Sequence, residues 1–101
     1  KFIAEYADLH GILFAPHGTL DGLIGLAAHV NLAATLPHNY IAFELPSGQP
    51  EWWYDILDGV GDLAVNNSHI DVSDAPGLGV TFIVDEAKKY LQEEDKHFFD
   101  D

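Results

Sequence analysis

The stretch "GILFAPHGT", residues 11–19, decides the fold. Ile12-Leu13-Phe14-Ala15 is an unbroken apolar run, the pattern of a strand buried on both faces in a parallel sheet. Pro16 has no N–H for a sheet ladder, so pairing is expected to end near it and to leave His17 just past the strand's C-terminal end. A second run, Tyr40-Ile41-Ala42-Phe43, repeats the arrangement: Glu44 follows it, and Pro46-Ser47-Gly48 breaks the chain. Between the runs, Asp21 is placed to cap a helix from Gly22 to about Thr35. Leu23, Ile24, Leu26, Ala27, Val30 and Ala34 give that helix an apolar face, and Pro37-His38-Asn39 makes the turn after it. Ahead of the first run, Phe2, Ile3, Tyr6 and Leu9 recur at helical spacing, with Gly11 as the C-terminal stop. The order helix, strand, helix, strand argues for right-handed βα units on a parallel sheet, an α/β fold. In such sheets functional groups gather beyond the C-terminal ends of the strands, where both His17 and Glu44 are expected.

After residue 50 the pattern changes. "PEWWYDILDGV" predicts a short helix with Pro50 and Glu51 in its first turn. "HIDVSD" alternates apolar and polar residues, as a half-exposed strand does. "APGLGVTF" reads as a turn followed by an extended stretch, and Asp85 opens a last helix to about Leu91. The tail "QEEDKHFFDD" is polar apart from Phe98 and Phe99, which are expected to dock on another surface.

The chain of 101 residues has room for one small domain, and 48% hydrophobic residues exclude general disorder. Seventeen acidic residues face four lysines and no arginine, for a formal net charge of −13. That field disfavours nucleic acid and anionic membranes as partners. It suits solubility at high salt, and equally an ordinary acidic surface. The sequence shows no bilayer-spanning apolar segment and no secretory signal pattern. Without cysteine there is neither a disulfide framework nor a thiolate metal site, which is compatible with a cytoplasmic setting. The sequence starts at Lys1, inside an amphipathic pattern, and is expected to be a piece of a longer chain.

Taken in order, "ILFAPHGT", "GLIGLAAHVNLAATLPHNYIAFELP", "PEWW" and "HIDVSDAPGLGV" resemble the C-terminal end of the enolase superfamily, in its mandelate racemase/muconate lactonizing enzyme-like branch. The likeness is greatest to the acid-sugar (aldonate) dehydratases and covers about residues 2 to 92. The resemblance implies a (β/α) TIM-type barrel with a separate capping domain. Residues 1–60 would form its last two strands with their helices. Residues 61–101 would be a C-terminal segment that packs back on the capping domain. It also implies that His17 ends the seventh strand and Glu44 the eighth, both as catalytic residues. The ligands of a magnesium ion, the basic residues of the second strand and an aspartate that pairs with the histidine would lie upstream, so no metal ligand is expected in this segment. A homo-oligomer acting on a small sugar acid is implied as well.

The chemistry of such enzymes is removal of a proton next to a carboxylate through an enediolate that magnesium stabilises. Histidine suits the proton transfer, because its ordinary pKa of about 6.5 lies near working pH. In a dehydratase, His17 would take the proton or deliver one to the departing hydroxyl, and the enol product would tautomerise to a 2-keto-3-deoxy acid. Glu44 would face a substrate carboxylate oxygen, either protonated or in a short hydrogen bond, since two bare carboxylates repel. Burial behind Phe43 and Leu45 would favour its neutral form. Racemases and epimerases of the same superfamily share the first step and are alternatives. An acidic, non-catalytic interaction module is another.

Other polar residues read as structural. His29 and His38 are tempting as metal ligands, but their spacing across a helix end favours capping or packing. His10, His69 and His97 read as surface residues. Trp52 and Trp53 are expected to anchor a helix to the core rather than to close over a sugar. Gly22 and Gly25 could leave amides for a carboxylate at a helix N-terminus, or could simply serve close packing. Asn66-Asn67-Ser68 matches a glycosylation acceptor by chance more readily than by function. The glycines of "PGLG" lack the spacing and the lysine of a phosphate loop.

Overall fold

The computed structural model describes residues 1–18, 21–36, 38–45 and 47–100. Pro37 of the expected turn and Pro46 of the expected break lie outside the described residues. Helix α1 spans Phe2–Leu9 and ends at Gly11, whose φ of +66° suits glycine. The Gly11 N–H donates to the Asp8 carbonyl at 2.9 Å and the Ile12 N–H to the Ala7 carbonyl at 2.9 Å, the paired bonds of a Schellman stop. Helix α2 spans Gly22–Ala33. Asp21 precedes it without making a side-chain cap, contrary to expectation, and its carboxylate turns toward Gly18 and Gly25 instead. At the other end the Lys1 ammonium donates to the Thr35 carbonyl at 3.1 Å, placing a cation where the helix dipole favours one.

The two apolar runs lie side by side and parallel, joined by one bridge between Phe14 and Tyr40. The Phe14 N–H donates to the Asn39 carbonyl at 2.8 Å, and the Ile41 N–H donates to the Phe14 carbonyl at 3.1 Å. Burial on both faces, however, is not observed: Leu13 is 65% exposed, and Ile12 and Ile41 are also open. Each run has the other beside it and α2 on part of one face, so neither is covered as a strand inside a large sheet is.

Asn39 ties α1 to this pair. It is 5% exposed, and its Nδ2 donates to the Ala4 carbonyl at 3.0 Å and to the Ile12 carbonyl at 2.9 Å. The apolar periodicity of α1 is correct but faces outward. Phe2, Ile3, Tyr6 and Leu9 are exposed while Ala4 is buried, because the small alanine lets the helix backbone approach Asn39.

The core lies against α2. Leu23, Leu26 and Val30 pack against Trp53 and Leu57, with Phe43, Ile56, Val60, Leu63 and Ile70 around them. Trp53 belongs to helix α3, Trp52–Asp55, whose first turn is held by the Pro50 and Glu51 carbonyls. Strand β1, Leu57–Asp58, pairs antiparallel with β2, Thr81–Phe82. Between them come a 3₁₀ turn at Val60–Leu63 and a tight hairpin in which Asn66 pairs with His69. Asn67 and Ser68 both take positive φ there, 47° and 63°, the backbone that a two-residue hairpin turn requires.

The half-exposed strand expected over "HIDVSD" is not formed. Ile70 turns in to the core, and residues 70–74 carry no strand pairing among the described residues. Helix α4, Val84–Ala87, follows β2 and continues as a 3₁₀ turn, Lys88–Tyr90, so the last helix falls close to where Asp85 pointed. In the tail Phe99 packs on Phe82, with ring centroids 6.0 Å apart, whereas Phe98 stays exposed.

The radius of gyration is 15.9 Å, with extents of 48 × 28 × 27 Å. A compact domain of this length has roughly 13 Å, so the chain is drawn out rather than closed around one core. No helix among the described residues is long and apolar enough to cross a membrane.

Candidate active site

Pro16 shapes the site. In an unbroken parallel ladder its N–H would bond the 40–45 segment, but proline has none. Its carbonyl instead accepts from the Glu44 N–H at 3.3 Å. Pairing therefore reaches one bond beyond the bridge and stops with His17 and Glu44 on the same edge. Their side chains meet: His17 Nδ1 lies 2.6 Å from Glu44 Oε2, with side chains 57% and 65% exposed. The expectation that Phe43 and Leu45 bury Glu44 is not met. Phe43 is turned toward the core and Leu45 is open, so the carboxylate faces solvent. A contact this exposed contributes little to stability, whether or not His17 is charged.

A third side chain reaches the same place. His29 projects from α2, and its ring meets the Phe43 ring edge-on, with centroids 6.0 Å apart. A methyl group placed on Gly18 would lie 2.6 Å from His29 Cε1 and 3.0 Å from its Nδ1, and would also strike the Asp21 carboxylate. Residue 18 is therefore glycine because His29 and Asp21 occupy the room a side chain would need. The packing expected of His29 is observed, and in detail it touches the residue after His17 and the residue before Glu44. The sequence signal was a polar residue set between buried Leu26 and Val30 on an apolar helix. His38 is exposed on the turn.

The remaining candidates resolve structurally. Gly25 lies against the Asp21 side chain, so close packing accounts for it, and its N–H donates to the Asp21 carbonyl within the helix. Trp53 anchors α3 as expected, while Trp52 is part-exposed and stacks on Tyr90 at 5.6 Å. His10 lies edge-on to Tyr6, His69 Nδ1 is 2.7 Å from the Asn67 carbonyl, and His97 Nδ1 is 2.7 Å from Asp100. All three are exposed, as expected of surface residues. Asn67 and Ser68 of the acceptor-like triplet form the hairpin turn, and Gly77 and Gly79 of "PGLG" take positive φ, as turns require. Among the described residues, no group of three histidine or acidic side chains is arranged to hold a metal ion.

The Enolase C-terminal domain-like family model matches residues 1–87. A D-xylonate dehydratase of Haloferax volcanii is 34% identical over 91 residues, which is 90% of this chain and 21% of that protein. The chain thus spans about a fifth of the relative's length. No solved structure matches. The match over most of its length shows that the chain belongs to the Enolase C-terminal domain-like family.

Proposed function

We propose that this chain is the C-terminal part of a magnesium-dependent acid-sugar dehydratase, and that His17 and Glu44 work in its active site. The observation that carries the reading is the 2.6 Å contact between His17 Nδ1 and Glu44 Oε2 beyond the ends of two parallel segments. The likeness to a D-xylonate dehydratase supports an aldonic acid as the substrate class. In this reading residues 1–60 close the barrel, and 61–101 return toward a capping domain. The β1–β2 pairing ties the two parts together.

The contact suggests how the two groups divide the work. With the proton of a neutral His17 imidazole on Nδ1, that N–H donates to Glu44 Oε2, and Nε2 is the nitrogen that accepts the α-proton. The imidazolium so formed is stabilised by the adjacent carboxylate, and its Nε2–H is the proton that can be returned to the leaving hydroxyl. His17 then takes the α-proton, or returns one to the hydroxyl leaving the neighbouring carbon as water, and the enol becomes a 2-keto-3-deoxy acid. Magnesium, held by residues outside this chain, would supply charge stabilisation of the enediolate. The described residues offer no cluster that fits it.

Product analysis tests the reading. The full-length protein, incubated with aldonic acids and magnesium, should form a 2-keto acid that semicarbazide detects. Recovery of only epimerised or racemised substrate would make it a racemase or epimerase of the same superfamily instead.

A further inference from the structure

His29 reaches the neighbours of both halves of the pair. It comes from α2, not from either parallel segment, and it meets Gly18 on one side and Phe43 on the other. Gly18 directly follows His17, and Phe43 directly precedes Glu44. The backbones are tied by the bond from the Glu44 N–H to the Pro16 carbonyl, which fixes one point only and leaves the two chains free to splay beyond it. Beyond that bond the His29 ring stands against Gly18 and Phe43. It is half-buried, whereas His17 and Glu44 are exposed, so packing restrains its movement more than theirs.

We propose that His29 is a positioning residue: a ring wedged between Gly18 and Phe43 that sets the separation of His17 from Glu44. The inference rests on the reading of those two as the working pair. It accounts for two features left over from packing alone. Residue 18 carries no side chain, because one would displace the wedge. And a polar aromatic residue occupies the face of α2 that otherwise supplies Leu23, Leu26 and Val30 to the core. The wedge works through ring shape rather than through proton transfer, so a phenyl ring should replace it.

The test uses the full-length enzyme and variants at positions 17, 18 and 29, with melting temperature measured for each. His29→Ala should lower kcat by on the order of 10²-fold, as a displacement of about 1 Å can, while KM moves by no more than about threefold. His29→Phe should recover kcat to within about threefold of the parent, a rescue that a role in proton transfer would not allow. Gly18→Ala should also lower kcat at little cost in KM, and its penalty should shrink, though not vanish, when His29→Ala is already present, because a methyl group there meets Asp21 as well as His29. Unchanged kcat in His29→Ala, failure of the phenyl rescue, or additive penalties would each overturn the proposal. If His29→Ala does not fold, His29→Phe and His29→Leu decide: parental kcat with the ring and reduced kcat without it support the wedge, and equal kcat in the two overturns it. His17→Asn separates this from the parent reading. An active His17→Asn enzyme sinks the working pair itself, whereas a dead His17→Asn with a normal His29→Ala sinks only the wedge.

Discussion

The Glu44 backbone N–H donates to the carbonyl of Pro16 at 3.3 Å, and this bond places the Glu44 side chain beside His17. A residue with its own N–H at position 16 could continue the ladder in even register. Proline cannot, so the pairing shifts by a residue and the two functional side chains emerge together.

Glu44→Gln keeps the shape of the side chain and removes its charge and its capacity to take up a proton. We expect the full-length enzyme to lose on the order of 10²-fold in kcat, with stability changed by less than about 0.5 kcal/mol because the contact is solvent-exposed. Steady-state kinetics and a urea melt check both halves; parental kcat would remove Glu44 from the chemistry.

Asn39 makes the opposite prediction. Its amide bonds two backbone carbonyls from a buried position, joining α1 to the end of the first apolar run. Asn39→Ala should destabilise the protein by about 1–3 kcal/mol, since buried carbonyls lose their donor. The free energy of denaturant unfolding reads this directly. A change within error would mean the clamp contributes nothing net.

Exposed apolar side chains predict behaviour in isolation. Leu9 is 83% exposed, and Phe2, Ile3, Ile12, Leu13 and Ile41 are also open. The 101-residue chain alone should self-associate and bind a hydrophobic dye. Replacing Phe2 and Leu9 by glutamate should reduce both effects. A monomeric chain with a sharp, reversible melt and no dye binding would support a self-standing interaction module.

Tyr90 carries a pH prediction. Its hydroxyl donates to the Asp55 carboxylate, and that bond, aided by slight desolvation and by the negative charges of Asp55 and Glu86, raises its pKa above the ordinary value near 10. The neutral phenol is the favoured form in the fold. Its small contribution is therefore complete below pH of about 10 and fades as pH rises through the higher folded value. In an alkaline absorbance titration, Tyr90→Phe should remove a late-ionising phenol, and Asp55→Asn should bring that phenol back toward the ordinary value. Curves that coincide with the parent would contradict the contact.

The sequence made α1, α2 and the ends of the two apolar runs at His17 and Glu44 legible from neighbours close in sequence, and the helix–strand order made the parallel pairing of the runs legible through the handedness of βα units. Gly11, Pro16 and the apolar periodicities are local signals. What covers a face is not local. Phe2, Ile3 and Leu9 share one side of α1 as expected, yet nothing in their spacing says that this side stays open. Asn39 looked like a turn residue because its partner Ala4 lies 35 residues away. His29 read as a capping or packing residue without named partners, since its contacts with Gly18 and Phe43 exist only once the strand ends meet. "HIDVSD" misled for a related reason: alternation marks a strand only where a neighbouring backbone accepts it.

The most direct test of the account is the rate of 2-keto acid formation by the full-length enzyme with His17→Asn, measured on an aldonic acid that the parent dehydrates. Asparagine keeps polarity at an exposed position but cannot exchange protons. We predict a loss of about 10²–10⁴-fold in kcat with an unchanged melting temperature. A His17→Asn enzyme that dehydrates its substrate at the parental rate would contradict the assignment of this strand-end pair as the working site.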